Sequence, residues 1–355
     1  MRNLLDEYTR RAEDLTACFA KPLASLFESP PEARPWDAAL VSALRAEQER
    51  LGSDAAFAGD EAVVVTGQQP GLFTGPLYTV YKAVTAVRLA RAVQSRTGAP
   101  CVPVFWIGGE DHDFEEVRTA HFLTKSGKPL SLTCTPSTPV EGLPIYRVPV
   151  EPSLHDTVER AAAECPGSEF RGEIASFLHD SLDAAESLAD WTARLIARLF
   201  KGTGLIVFSP QLPAAREAAA PVLAREIAEP LAATRLLTEA GTRLEALGFP
   251  VQVAKAAHEC CFFVEADGRR RKVVFDDGRY LLPEDGAAYT PAELLELLEN
   301  APARFSPNVA LRCVVQQRLF PTAAYVAGPG ELAYWAQLRP LFEHFAPALP
   351  EAAGG

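Results

Sequence analysis

Four ionisable side chains stand in a row at Glu110–Asp111–His112–Asp113, directly after the apolar run Cys101–Ile107, CVPVFWI. A histidine between carboxylates suits general acid–base chemistry, since a neighbouring carboxylate fixes the ring tautomer and raises its pKa. His112 is the candidate proton carrier, Asp111 the carboxylate beside it, and Glu110 and Asp113 are candidate binding groups. The competing reading is an exposed charged turn. A second stretch, Val63–Lys82, reads VVVTGQQPGLFTGPLYTVYK. Gly67, Gly71 and Gly75 recur at four-residue spacing between a strand pattern and a helix pattern. Such glycines let backbone approach a ligand, and a helix start at Gly75–Pro76 favours phosphate. The spacing matches neither common phosphate-loop motif, so a tight turn needing positive φ stays open. Gln68 and Gln69 can read a nucleotide or sugar. Tyr78 and Lys82 lie one turn apart, opposite a stripe formed by Leu77, Val80, Tyr81, Val84 and Val87. There Lys82 is either a phosphate ligand or a solvated lysine.

Two later turns repeat this logic. Ser306–Pro307–Asn308 enters an apolar segment carrying Arg312, which is an anion clamp or an ordinary ion-pair partner. Gly328–Pro329–Gly330–Glu331 opens another helix. Glu331 there complements the helix dipole or binds a cationic amine. The remaining histidines, His121, His155, His179, His258 and His344, stand alone and read as structural or solvated.

The elements that position these residues are strands flanked by helices. Glu61–Thr66, Cys101–Ile107 and Gly204–Ser209 are apolar on both faces, as in a parallel sheet covered on both sides. A strand, a helix and a strand in succession predict a βαβ unit. Residues 1–58 read as helical and surface-forming. Residues 213–248 read as a helix broken or kinked near Pro221 and Pro230, Val251–Val253 as a strand, and Gly330–Phe345 as one helix. The 355 residues carry a net charge of −12, which argues against nucleic-acid partners. There is no apolar run near 20 residues, so no membrane span is expected. Seven scattered cysteines suit a reducing cytoplasm. Cys260–Cys261 with His258 lacks a fourth ligand at metal spacing, so no protein-bound zinc is expected.

Taken together, TGQQPGLFTGPLYTVYKA, PVFWIGGEDHDFEEV, FSPNVALRCVVQ and YVAGPGELAYWAQLRPLFEHF resemble the BshC family, cysteine ligases of bacillithiol biosynthesis. The likeness is strong over 62–125 and 305–346 and looser between them. It implies a Rossmann-like core of the nucleotidyltransferase and class I synthetase kind, carrying connecting-peptide insertions. On that pattern the chain divides into a helical segment 1–60, core 61–127, insertion 128–200, core 201–265, small insertion 266–304 and core 305–355. The nucleotide-site motif maps onto Gly67–Gln69, Gly71, Gly75–Tyr78 and Lys82, and the acidic-histidine motif onto Glu110–Asp113. The family's chains usually continue into a coiled coil, whereas this sequence stops at Gly355, which leaves the oligomeric state open.

The implied chemistry joins cysteine to glucosaminyl-malate, with ATP and Mg²⁺ supplying a cysteinyl-adenylate. Lys82 and Arg312 would stabilise phosphate charge and His112 would carry the proton. Two other readings stay open: nucleotidyl transfer to another substrate, and a nucleotide-binding pathway protein with no chemistry of its own.

Overall fold

The computed structural model describes residues 3–10, 15, 18–19, 23–345 and 351–354. Parts of the helical reading of 1–58 therefore lie outside the described residues. The core is a parallel sheet of β1 (Ala62–Gln68), β2 (Cys101–Ile107), β5 (Ile206–Phe208), β11 (Thr322–Ala327) and β12 (Glu351–Gly354). Its order is β12-β11-β1-β2-β5. Successive strands thus step outward from β1 to β5, and the chain then returns to the other side of β1 with β11. This reversal between β1 and β11 is the switch point at which open α/β sheets leave a crevice beyond the strands' carboxyl ends.

Both faces of the sheet are covered, which is why its strands read as continuous apolar runs. Along β1, Ala62 and Val64 pack with Ala86, Ala90 and Val93 of the helix Leu77–Thr97. Val63 and Val65 face the opposite layer, where Leu40 and Leu44 of the helix Ala38–Leu51 are fully buried. That helix is a core element, contrary to the surface reading. Its Gln48 amide donates to the Val207 carbonyl at 2.8 Å and accepts from the Val207 N–H at 3.0 Å, satisfying the edge of β5 as a further strand would.

The helix Leu77–Thr97 also departs from its sequence pattern. Leu77 and Tyr81 of the expected stripe are about two-thirds exposed, while Thr79, Lys82, Ala83, Ala86 and Ala90 form the buried face. Of the expected stripe, Val87 is buried and Val80 and Val84 are partly buried against the core, and close packing on the sheet adds the small residues to that face.

Two units project from the core. The hairpin of β3 (Thr119–Leu123) and β4 (Pro129–Thr133) precedes the helices Ser153–Glu164, Arg171–Asp183 and Leu188–Leu199. His155 and His179 do not stand alone there. Their Nδ1 atoms meet at 2.7 Å, and their Nε2 atoms reach Asp183 (3.2 Å) and Glu159 (2.8 Å), pinning two helices together. The second unit is an antiparallel sheet of β6 (Glu259–Ala266), β7 (Arg269–Asp276), β8 (Arg279–Leu282), β9 (Ala287–Tyr289) and β10 (Phe305–Pro307), in the order β10-β6-β7-β8-β9. β6 and β10, read from sequence as core, pair with each other here and not with the parallel strands. Val251–Val253 is not a strand. Pro221 sits inside the continuous helix Pro213–Ala228, while the expected break near Pro230 is present, over Glu229–Leu231, with Leu231 at φ +61°. Pro329–Trp335 and Arg339–Phe345 are separate helices. No helix among the described residues is long and apolar enough to cross a membrane.

One buried charge sets a pH dependence of stability. Glu226 is 1% exposed; one carboxyl oxygen accepts from the Ala233 N–H at 3.3 Å and the other has no partner. Burial pushes its pKa up to about 7. A carboxyl raised in the folded state binds its proton more tightly there than unfolded, so stability is full at about pH 4.5 and is lost as pH rises to 7. The loss is about 3 kcal/mol at 1.36 kcal/mol per unit. Glu226→Gln keeps the acceptor without the charge. It is expected to unfold with wild-type stability at about pH 4 and to be more stable by about 3 kcal/mol at about pH 8. Equal denaturation midpoints at both pH values would overturn this.

Candidate active site

A cavity of about 740 Å³ opens at the carboxyl ends of β1, β2 and β11. Each strand leads directly into its wall: β1 into Gln68 and Gln69, β2 into Gly108 and Glu110–His112, β11 into Gly328–Glu331. The antiparallel sheet closes the far side with Phe263, Arg270 and Pro307. The four sequence motifs thus converge, together with Gly67, Tyr78, Asn308 and Arg312.

His112 is one of the lining groups, but its environment is not the expected one. Its Nδ1 is buried without a hydrogen-bond partner and lies 3.9 Å from Asp111 Oδ1, too far for a hydrogen bond. The ring is about one-third exposed and lines the cavity. Phe263 stands edge-on at 5.8 Å. Burial lowers the His112 pKa, and the nearby Arg270 lowers it further, against the opposing pull of Asp111 and Asp113. The expected raised pKa is therefore reversed: desolvation and a cation outweigh the carboxylates. At neutral pH the imidazole is uncharged and can accept a proton. Asp111 shapes the loop instead. Its Oδ1 accepts from the backbone N–H groups of His112 (2.7 Å) and Asp113 (3.2 Å), and its Oδ2 from Gln69 Nε2 (2.7 Å). Glu110 is ion-paired to buried Arg216 at 2.6 Å. Asp113 caps the short helix Phe114–Val117 and does not line the cavity.

Lys82 is neither solvated nor open to a ligand. It is fully buried behind the β1 wall, donating to the Gly67 carbonyl at 2.6 Å and forming an ion pair with Glu331. Burial lowers its pKa while Glu331 opposes that shift. The Glu331 carboxylate also accepts from the Gly328 N–H (2.8 Å) and the Tyr325 hydroxyl (2.6 Å). With those partners it is not free to receive an amine. This knot ties the switch-point strands together: Lys82 from the helix Leu77–Thr97, Gly67 from β1, Glu331 and Tyr325 from the β11 side.

Of the two readings open for the glycine turn, the structural one fits Gly71 and Gly75, while Gly67 lines the cavity. Gly71, Gly75 and Pro76 do not line the cavity. A Cβ on Gly71 would sit 2.7 Å from the Gly75 Cα, so the two ends of the turn touch. Phe73, Thr74 and Gly75 all have positive φ, a strained run. Phe73 anchors it edge-on between Phe122 and Trp191, each at 5.3 Å. Ser306 also lies behind the wall, accepting from Arg270 Nε at 3.0 Å. Asn308 lines the cavity but spends its side-chain oxygen on the Ala310 and Leu311 N–H groups. Gly328 faces the Tyr78 hydroxyl, which occupies the space a Cβ would need. Arg312 donates to the Tyr325 (3.3 Å) and Tyr334 (3.2 Å) hydroxyls and stacks near Trp106.

Arg270, Phe263, Trp106, Tyr325, Tyr334 and Lys255 also line the cavity, and the sequence motifs do not single them out. For Arg270 the signal is the alternation within Arg269–Lys272, which sends every second side chain of β7 to one face. Among the described residues, no group of three or more His, Cys, Asp or Glu could hold a metal ion. Cys260 and Cys261 are buried in β6, their thiol pKa values pushed up by burial.

Comparison with known proteins places this geometry. The family model for the bacillithiol biosynthesis BshC N-terminal Rossmann-like domain matches residues 1–352. The chain belongs to the BshC family. Among its relatives, the BshC of Salinibacter ruber is 37% identical over 78% of this chain and 50% of its own length. That of Symbiobacterium thermophilum is 34% identical over 88% and 60%, and that of Bacillus cereus is 32% identical over 80% and 53%. Each carries the name "Putative cysteine ligase BshC". The chain thus spans about half the length of these BshC relatives.

Proposed function

We propose that this protein is a cysteine ligase of bacillithiol biosynthesis, acting in the cytoplasm to join cysteine to the amine of glucosaminyl-malate at the expense of ATP. The observation that carries the reading is the placement of His112 at the mouth of β2, lining a switch-point cavity of a BshC-family sheet. An amide does not form from a free acid in water without activation. In the first step the cysteine carboxylate oxygen bonds to the α-phosphorus of ATP, and pyrophosphate leaves. In the second the glucosamine nitrogen bonds to the acyl carbon, the acyl C–O bond breaks, and AMP leaves. The attacking amine must shed a proton, and the uncharged imidazole of His112 accepts it. Mg²⁺ would arrive with ATP and be held mainly by phosphate, since Glu110 and Asp111 already accept from Arg216 and Gln69. Arg312, fixed by Tyr325 and Tyr334, faces the same cavity and suits the leaving phosphate.

An adenylate intermediate predicts cysteine-dependent exchange of labelled pyrophosphate into ATP without any acceptor. Exchange that ignores cysteine would favour nucleotidyl transfer to another substrate. ATP binding with neither exchange nor turnover would leave a non-catalytic nucleotide binder.

A further inference from the structure

Arg270 is a cation that the chemistry above leaves unused. It projects from β7 with its guanidinium 3.7 Å over the Phe263 ring centroid. Nε donates to Ser306 Oγ at 3.0 Å and Nη2 to the Pro307 carbonyl at 2.7 Å. Three neighbours thus fix the plane of the group. Nη1 donates to no group among the described residues, and the side chain borders the cavity.

The local charges do not neutralise it by contact. Glu110 is taken by Arg216 and Asp111 by Gln69. Burial and the repulsion of Arg216 lower the Arg270 pKa to about 10, against the pull of Glu110 and Asp111. A cation in that state gains from any anion brought beside it. Lys255 lines the same wall, ion-paired to Glu259 at 3.3 Å. Lys272 shares the Arg270 face of β7 and lies opposite Phe263 in the hairpin.

We propose that Arg270 is the oxyanion anchor of the cavity: Phe263, Ser306 and Pro307 hold its plane so that the Nη1 edge takes a carboxylate or phosphate oxygen of the substrate. The proposal rests on reading this cavity as the substrate site. The shared chemistry is a planar guanidinium donating to an oxyanion, whose source is either the acceptor's carboxylates or the nucleotide's phosphates. A lysine at the same place keeps the charge but cannot donate to Ser306, Pro307 and a ligand from one fixed plane.

Calorimetric titration with L-malate and with inorganic pyrophosphate tests this. Wild type is expected to bind at least one of them. Arg270→Gln is expected to weaken that one at least about tenfold, the scale of one charge-assisted hydrogen bond, and Arg270→Lys by an intermediate factor. The probe that loses affinity names the source. If Arg270→Gln fails to fold, Arg270→Lys and Ser306→Ala carry the test, Ser306→Ala weakening the same probe by loosening Nε. Unchanged affinity for both probes in the folded variants, or no binding of either to wild type, overturns the proposal. AMP formation from cysteine, ATP and glucosaminyl-malate, run in parallel, separates the two readings. No AMP from a wild type that binds a probe through Arg270 defeats the ligase alone. AMP formation with unaltered KM values in Arg270→Lys defeats the anchor alone.

Discussion

His112→Ala is expected to lower ligase turnover by about 10²–10⁴-fold, the usual yield of one positioned acid–base group, with little change in stability. The ring is partly exposed and makes no hydrogen bond from Nδ1, so its removal leaves no buried group unpaired. The pH profile carries the sharper test. A base works when deprotonated, and burial together with Arg270 lowers the His112 pKa below the ordinary histidine value. The acid limb of kcat/KM is therefore expected below pH 6.5, with activity level through neutrality. A limb above that value, or none that vanishes in His112→Gln, would show that another group carries the proton. Arg270→Gln removes the nearby positive charge and is expected to move the same limb towards higher pH.

Lys82→Ala is expected to cost about 3–5 kcal/mol of folding stability, the penalty for breaking a buried ion pair from one side. The Glu331 carboxylate would keep the Gly328 N–H and the Tyr325 hydroxyl but lose its counter-charge, and the Gly67 carbonyl would lose a donor. Turnover would fall as a consequence of the lost structure, where the sequence suggested a phosphate ligand in a sound fold. The double variant Lys82→Met with Glu331→Gln separates these accounts, because removing both charges leaves none buried alone. Urea unfolding should place the double variant closer to wild type than Lys82→Ala. A Lys82→Ala protein with a wild-type midpoint and no activity would restore the phosphate role.

The sheet was legible because its strands have no polar face to misplace. CVPVFWI and the apolar start of β1 can only be central strands, and whatever follows them must sit at the sheet's carboxyl edge. That logic brings Gln68, Gln69, Glu110, Asp111 and His112 into one cavity. Side-chain roles were less legible, since each depends on partners remote in sequence. Lys82 reads as exposed because its helix carries a larger apolar stripe elsewhere, yet Glu331, 249 residues away, draws it into the core. His112 reads as a raised-pKa histidine from its carboxylate neighbours, yet Arg270 and Phe263 come from a sheet that no local pattern connects to it. Of the glycines in the turn only Gly75 has the positive φ that the sequence suggested, and Phe73 and Thr74 share that conformation. Gly71 and Gly75 are there for each other.

The most direct test of the whole account is to incubate the protein with cysteine, glucosaminyl-malate and ATP, and to follow product and nucleotide together by mass spectrometry. The account predicts a cysteinyl amide of the acceptor and one AMP per product, both dependent on His112. Product accompanied by ADP, or AMP formed at equal rate without cysteine, would contradict it.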